Sequence, residues 1–325
     1  QLYLSLAAEA AANGAAVRSL VTAYPSVFPE HLRHNHEQQW KTLEERFGVQ
    51  VRPPVPESVA LASYLVDERD ANFGTNLLAV DVGGSTSDLA VWSGGDRAMG
   101  DSVRMAGDIL SRLLAVDAPA RDAIRAAAAA KPIASPVPWR EKGGLENGLI
   151  FNSLLREVAQ KDPNHSTLML AKNMYQGPGS PRERVIAHAA YLYATVSYLL
   201  GLMVRRRGMA SDRYEVHFAG HGSEFLRWLD LMEDNASTEL PAVFFCAGLG
   251  SKRADVQVDV RLPGTDVKQE VGRGLLAALV GDTSARRHRA TFVGETGFFE
   301  GESEGGWDMD LGIQTLSRLQ PPAQP

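Results

Sequence analysis

Hydrophobic positions along this chain switch repeatedly between a helical and a strand-like rhythm. From Leu2, LYLSLAAEAAANGA predicts a helix that ends near Asn13-Gly14. VRSLVTAYPS then predicts a strand stopped by Pro25, and HLRHNHEQQWKTLEERFG a charged helix closed by Gly48. GVQVRPP reads as a second strand. ESVALASYLVDE, from Glu57, reads as a second helix with small residues on its packing face.

After the polar spacer ERDANFGTN, the runs NLLAVDVGG and DLAVWSGG have strand length and flank a short polar turn, which predicts a hairpin-like pair. DSVRMAGDILSRLLA continues as strand edge, turn and helix. From Asp117 to about Pro181 the pattern changes to an alanine run, prolines at 132, 136 and 138 and glycine-containing loops, which reads as an insertion or small lobe. A long apolar helix ends near Arg207, and YEVHFAGHGSEFLRWL then gives an alternating strand, a glycine turn and a helix. PAVFFCAGL and DVQVDVRLP are expected as strands, DVKQEVGRGLLAALV as a helix, and the end of the chain, with PPAQP, as a frayed tail. Strands alternating with helices place the chain in the α/β class, with sheets covered by helices and function at glycine turns beyond strand ends.

Composition narrows the function. The 325 residues, 44% hydrophobic and 22% charged, suffice for two domains of ordinary size. A net charge of −6, with basic residues scattered except at Arg205–Arg207 and around Arg286–Arg289, argues against a nucleic-acid or anionic-membrane surface. Cys246, the single cysteine, leaves neither a disulfide framework nor a cysteine metal cluster, and a reduced thiol suggests the cytoplasm. The stretch from Ala187 to Val204 is at the short limit for a membrane span; with His188, Thr195, Ser197 and three tyrosines it reads as a core helix. The chain opens on Gln1 without the basic stretch of a signal peptide and reads as a segment of a longer protein.

The stretch LLAVDVGGSTSDLAVW, residues 77–92, concentrates the candidate chemistry. Gly83 and Gly84 let the backbone approach another group, while Ser85 and Thr86 offer hydroxyl and amide donors suited to phosphate oxygens. Asp81 and Asp88 bracket the turn and would repel a phosphate unless a hard cation lay between; Mg²⁺, which takes one or two carboxylates plus waters and phosphates, fits, and a nucleotide is the natural ligand. A tight hairpin whose Asp and Ser side chains satisfy only local backbone groups is the alternative.

DVGGSTSD resembles the second phosphate-binding motif of the actin, sugar kinase and heat-shock chaperone ATPase superfamily: Asp, any residue, Gly, Gly, a small residue, Thr, any residue, Asp. Further segments follow in that superfamily's order. VTAYPS and ESVALASYL resemble the chaperone strand and connecting helix, putting Glu57 where the family has an acidic residue near Mg²⁺ and the attacking water. RMAGDIL, with Gly107 and Asp108, resembles the turn and helix after the phosphate motif. VHFAGHGSEFL resembles the adenosine motif through Gly220, Gly222 and Ser223, with His221 as an insertion, and VKQEVGRGLLAAL resembles the helix that follows it.

The resemblance implies an actin-like (ribonuclease H-like) ATPase fold closest to the chaperone-type nucleotide-binding domain, with residues 1–73 as the remainder of a first lobe. Residues 74–116 and 205–300 would form the second lobe core, 117–204 an inserted subdomain with the long helix, and 301–325 a tail. It implies ATP and Mg²⁺ as cofactors and a hydrolysing switch read by a protein client or partner. Asp81 and Asp88 would hold Mg²⁺ waters, and Glu57 would order the attacking water. Gly83, Gly84, Ser85 and Thr86 would take the β- and γ-phosphates; Gly107, Asp108, Gly220, Gly222 and Ser223 would line the rest of the nucleotide. The family's first phosphate motif and its lysine have no counterpart before Val17, as expected of a truncated first lobe, with an inactive relative the alternative. A filament-forming actin-like protein and a binding module without turnover also remain open.

Other features carry less. Glu57 after Pro56 also suits a helix N-terminus through its dipole alone. His31, His34 and His36 do not share one helical face and read as a solvated helix. His217 reads as a partly exposed strand residue, and His221 either touches a nucleoside or does not. The acidic, aromatic stretch 291–310 reads as a surface hairpin, with partner binding the alternative, and the 205–207 arginines as complements to a helix C-terminus.

Overall fold

The computed structural model of the chain describes residues 2–25, 28, 30–69, 76–93, 97–130, 151, 153–155, 157, 179–206, 208, 209, 211–231, 233–263 and 267–280. The expected tail over 301–325, the acidic stretch 291–310, the Arg286–Arg289 run and most of the expected insertion lie outside the described residues.

The first helix, α1, spans Leu2–Ala12, and Gly14 follows it in the left-handed region at φ 72°. The strand expected next is broken in two. β1 (Ser19–Leu20) pairs in parallel with β3 (Gln50–Val51), and β2 (Ala23–Tyr24) with β4 (Val55–Pro56). Pro53 and Pro54 lie between β3 and β4 and have no N–H to give to a ladder, which accounts for the interruption. Between these strands runs α2 (Glu30–Phe47), closed by Gly48 at φ 63°. His31 and His34 on α2 are exposed; His36 is packed inward, where its Nε2 accepts from Trp40 Nε1 at 3.0 Å and lies 3.2 Å from Thr22 Oγ1.

From α3 (Glu57–Arg69) the chain enters its main sheet, built from β5 (Asn76–Val82), β6 (Ser87–Ser93), β7 (Arg97–Val103), β8 (Arg213–Ala219) and β9 (Gln257–Arg261). The spatial order is β7-β6-β5-β8-β9. The β5–β6 and β6–β7 pairs are antiparallel, and β5–β8 and β8–β9 are parallel. In order along the chain this is 3-2-1-4-5 with the second strand alone reversed, the ribonuclease H-like arrangement that the sequence resemblance implies.

Alternation along β5 divides the side chains between two covered faces. Leu78, Val80 and Val82 join Leu89, Val91, Val216 and Phe218 in the larger core. There they meet α4 (Gly107–Val116), α5 (Ala118–Ala130), α6 (Pro181–Arg206) and α7 (Ala236–Leu249). Leu77 and Ala79 face the other way, with Ala90 and Ala219, toward Leu61, Ala62, Tyr64 and Leu65 of α3. α8 (Val267–Val280) packs on α3; a Cβ on Gly274 would stand 1.7 Å from the Ala60 carbonyl oxygen, so glycine there lets the helices touch.

α6, expected with the inserted subdomain, places Val185, Ala189, Leu192, Val196 and Leu200 in the same core as the sheet. It is long and apolar enough to cross a membrane by length and composition, yet 56% of its apolar stretch is buried within the fold. Phe151 and Leu155 join that core too.

PAVFFCAGL is not a strand. It lies in α7, where Cys246 is a free, buried thiol. The run is apolar on every side, so it has no period to read, and the packing against α6 decides its form. Gly201 and Gly248 let the two backbones touch: a Cβ on either would stand 2.1 Å from the Phe245 oxygen or 2.0 Å from the Tyr198 oxygen, respectively.

Candidate functional site

β5 and β8 run in parallel and end together, at Val82 and Ala219. The strand ends carry the residues that the sequence singles out, in keeping with ligand sites at the carboxyl ends of strands in α/β sheets. The β5–β6 register sets Asp81 directly opposite Asp88, and β8 sets Ala219 beside Asp81. Opposed residues share a face with Cβ atoms about 5 Å apart. Both carboxylates therefore sit on the face covered by α3, whose first turn carries Glu57, and α8, packed on α3, brings Glu270 of its own first turn within electrostatic reach of Asp81.

The result is an acidic cluster with little water. Asp81 and Asp88 are 8% and 2% exposed, and Glu270 is 3% exposed. Burial, then the charges of Asp88, Glu57 and Glu270, push the Asp81 carboxyl up to about 8. Burial, then the charge of Asp88 and a hydrogen bond with it, push Glu57 up to about 7. Two carboxyl groups can share such a bond only with a proton between them, so the ligand-free cluster retains protons that isolated carboxylates release. Asp88 Oδ1 also accepts from the Ser102 hydroxyl, and the Ser102 amide donates to Asp101 Oδ1 at 2.7 Å.

The turn over 83–86 is drawn tight by the Gly83 N–H, which donates to the Thr86 carbonyl at 2.9 Å. Its carbonyls point at α4: the Gly107 and Asp108 amides donate to the oxygens of Gly83 and Gly84 at 3.1 and 2.6 Å. Gly84 and Ser85 are exposed at the tip, Gly83 and Thr86 are half-buried, and Asp108 is partly buried on the first turn of α4. Gly107 is buried against the turn, its would-be Cβ 3.2 Å from the Gly83 oxygen.

The second glycine turn lies against the first. Gly220 has φ 76°, and a Cβ there would fall 2.1 Å from Asp81 Oδ1. A Cβ on Gly222 would fall 2.5 Å from Val82 Cγ1. The phosphate-type and adenosine-type motifs are thus one contiguous surface. Ser223, however, is fully buried and donates its hydroxyl to the Ala219 carbonyl, so it shapes the turn from within. The segment that follows is a 3-10 helix, His221–Leu231, rather than an α-helix. His221 Nδ1 lies 3.6 Å from Glu224 Oε2. His217, expected to be partly exposed, is buried on β8 with its Nε2 3.0 Å from Glu215 Oε1.

Sequence reasoning missed Glu270 and Ser102. A glutamate in the first turn of a helix reads as a partner of the helix dipole, and nothing local says that the helix lies over Asp81. Among the described residues, no three His, Cys, Asp or Glu side chains are arranged to hold a metal ion by themselves. A cation held through one or two of the carboxylates would relieve the repulsion that drives Asp81 and Glu57 upward.

No protein-family profile and no curated protein matches the chain. Among solved structures, the chain is similar to the ethanolamine utilization protein EutJ from Carboxydothermus hydrogenoformans at 15% identity and TM-score 0.47, over 85% of this chain and 72% of that one. It is similar to Ta0583, an archaeal actin homolog, at 15% identity and TM-score 0.46, over 86% and 76%. It is also similar to MreB 5 of Spiroplasma citri bound to AMPPNP, at 16% identity and TM-score 0.33, over 83% and 70%.

Proposed function

We propose that the chain is a nucleotide-binding domain of the actin-like ATPase class, taking ATP with Mg²⁺ at the ends of β5 and β8 and acting as a chaperone-like switch read by a protein client or partner. The single observation that supports the nucleotide site is the buried Asp81–Asp88 pair, opposed across β5 and β6 beside an open glycine turn and joined by Glu57; the chaperone-like role follows from the sequence resemblance alone.

Bound Mg²⁺ would neutralise the phosphates and the two aspartates together. Asp81 and Asp88 would hold its water ligands, while the exposed turn at Gly84 and Ser85 would meet the β- and γ-phosphates with backbone donors. Glu57, hydrogen-bonded to Asp88 at the start of α3, would orient the attacking water and, once the cation has relieved the repulsion that keeps it protonated, accept its proton. Gly220 and Gly222 would support the nucleoside end, because both press on the β5 terminus. Positioning and charge compensation do the chemistry, with no covalent intermediate on the protein.

The test is phosphate release from ATP with and without Mg²⁺, by the parent chain and by Glu57→Gln. Mg²⁺-dependent release that falls at least about a hundredfold in the variant supports the assignment. Mg²⁺-dependent binding without release by the parent would make the chain a binding module. ATP- and concentration-dependent sedimentation would move it to the filament-forming class.

A further inference from the structure

The three tyrosines of α6 have different surroundings: Tyr191 is exposed, Tyr198 half-buried and Tyr193 fully buried. A buried phenol needs a partner for its hydroxyl. Tyr193 finds it 29 residues along the chain, donating to the Gly222 carbonyl, while its ring lies edge-on to Phe218 with centroids 6.3 Å apart. Burial, then the charge of Glu224, holds the phenol well above its ordinary range, so it stays a donor at any working pH.

That carbonyl belongs to a turn clamped from the opposite side. Gly220 and Gly222 press on Asp81, Val82 and Gly83, with no room for even a methyl group. Within the turn, the Ser223 amide donates to the Gly220 oxygen at 3.0 Å and the Ser223 hydroxyl to the Ala219 oxygen. The turn thus rests on the end of β5 and on Gly107 of α4, whose would-be Cβ stands 3.7 Å from the Gly222 Cα, while the Tyr193 hydroxyl ties it into the core.

We propose that Tyr193 is a positioning residue for the nucleoside end of the ligand: from the core helix it fixes the height of the Gly220–Ser223 turn against the phosphate turn. This rests on the nucleotide reading. Without the hydroxyl, the turn keeps its glycines and its contact with β5 but loses its inner anchor, and the surface under the nucleoside shifts while the Gly83–Thr86 turn, which is held by α4, does not.

The experiment is calorimetric titration of the parent, Tyr193→Phe and Tyr214→Phe chains with Mg-ADP and with Mg-pyrophosphate, beside thermal melts. Tyr214 is the control, a second core tyrosine whose hydroxyl donates to the Met209 carbonyl at 3.1 Å and accepts from the Ser211 amide at 2.7 Å. The expected result is that Tyr193→Phe weakens Mg-ADP about tenfold, the worth of one hydrogen bond, with Mg-pyrophosphate unchanged and Tyr214→Phe binding both as the parent does. Equal weakening of both ligands, equal weakening by Tyr214→Phe, unchanged Mg-ADP affinity, or a Tyr193→Phe chain that does not fold would each overturn the positioning role alone. A parent chain that binds Mg-pyrophosphate but not Mg-ADP, or neither, would overturn the nucleotide reading and this role with it.

Discussion

Replacing Asp81 by Asn should stabilise the ligand-free chain, by an amount that grows with pH. Asp81 holds its proton up to about 8 against an ordinary value of 3.8, because burial and the charges of Asp88, Glu57 and Glu270 oppose its ionisation. The sign follows from linkage: between those two values the folded chain keeps a proton that the unfolded chain has released, so stability falls as pH rises through the window and levels off above it. At about 1.4 kcal/mol per unit, the loss is roughly 2 kcal/mol at pH 5 and roughly 4 kcal/mol at pH 7. Asn has nearly the same shape and no proton to lose. Its advantage should therefore be near zero at about pH 4 and reach several kcal/mol, a melting shift of several degrees, by about pH 8. Glu57, raised to about 7, leaves a smaller residual slope in the variant between about pH 4 and 7. Urea or thermal melts of both chains from pH 5 to 8, with a chelator present, read this directly. A variant that is less stable at every pH, or a gap that does not change with pH, would refute the idea that the cluster is strained by uncompensated charge.

Other expected outcomes follow from single contacts. Gly201→Ala and Gly248→Ala each place a methyl group 2.1 or 2.0 Å from a carbonyl oxygen across the α6–α7 crossing, and should each lower unfolding free energy by about 2 kcal/mol or more in urea melts. Gly220→Ala combines φ 76° with a Cβ 2.1 Å from Asp81 Oδ1, and should abolish MgATP binding in a calorimetric titration while lowering the melting temperature. Asp117 is opposed by burial, but hydrogen bonds from His188 and Arg184, both 3.0 Å away, win and hold it below the ordinary carboxylate range. Its stabilising share should be present at neutral pH and lost as pH falls below about 4, and Asp117→Asn should remove that acid-side slope from the melting curve.

The sheet and its turn could be read from the sequence because local rules and tertiary structure agree there. NLLAVDV and SDLAVWS have strand length, β-branched and aromatic side chains and a glycine turn between them, and their antiparallel register follows. Asp81 and Asp88 could be paired in advance for the same reason: a short turn fixes which residues face each other. PAVFFCAGL failed because its exposed positions, Val243 and Phe244, are as apolar as its buried ones, so the run shows no amphipathic period, and what makes it a helix is the glycine-to-backbone crossing with α6. Glu270 acts by its charge on Asp81, 189 residues away in sequence, and Tyr193 by a hydrogen bond to Gly222, 29 residues away, and no local pattern encodes such distances. Ser223 was found by its motif, but its inward hydroxyl depends on how the 3-10 helix turns after β8.

The central claim, that the opposed Asp81 and Asp88 form a Mg²⁺–nucleotide site, is tested most directly by calorimetric titration of the parent chain and Asp81→Asn with ATP, with and without Mg²⁺. Saturable binding by the parent that requires Mg²⁺ and falls at least about tenfold in the variant is the predicted result. No binding by the parent, or Mg²⁺-independent binding that the variant retains in full, would contradict it.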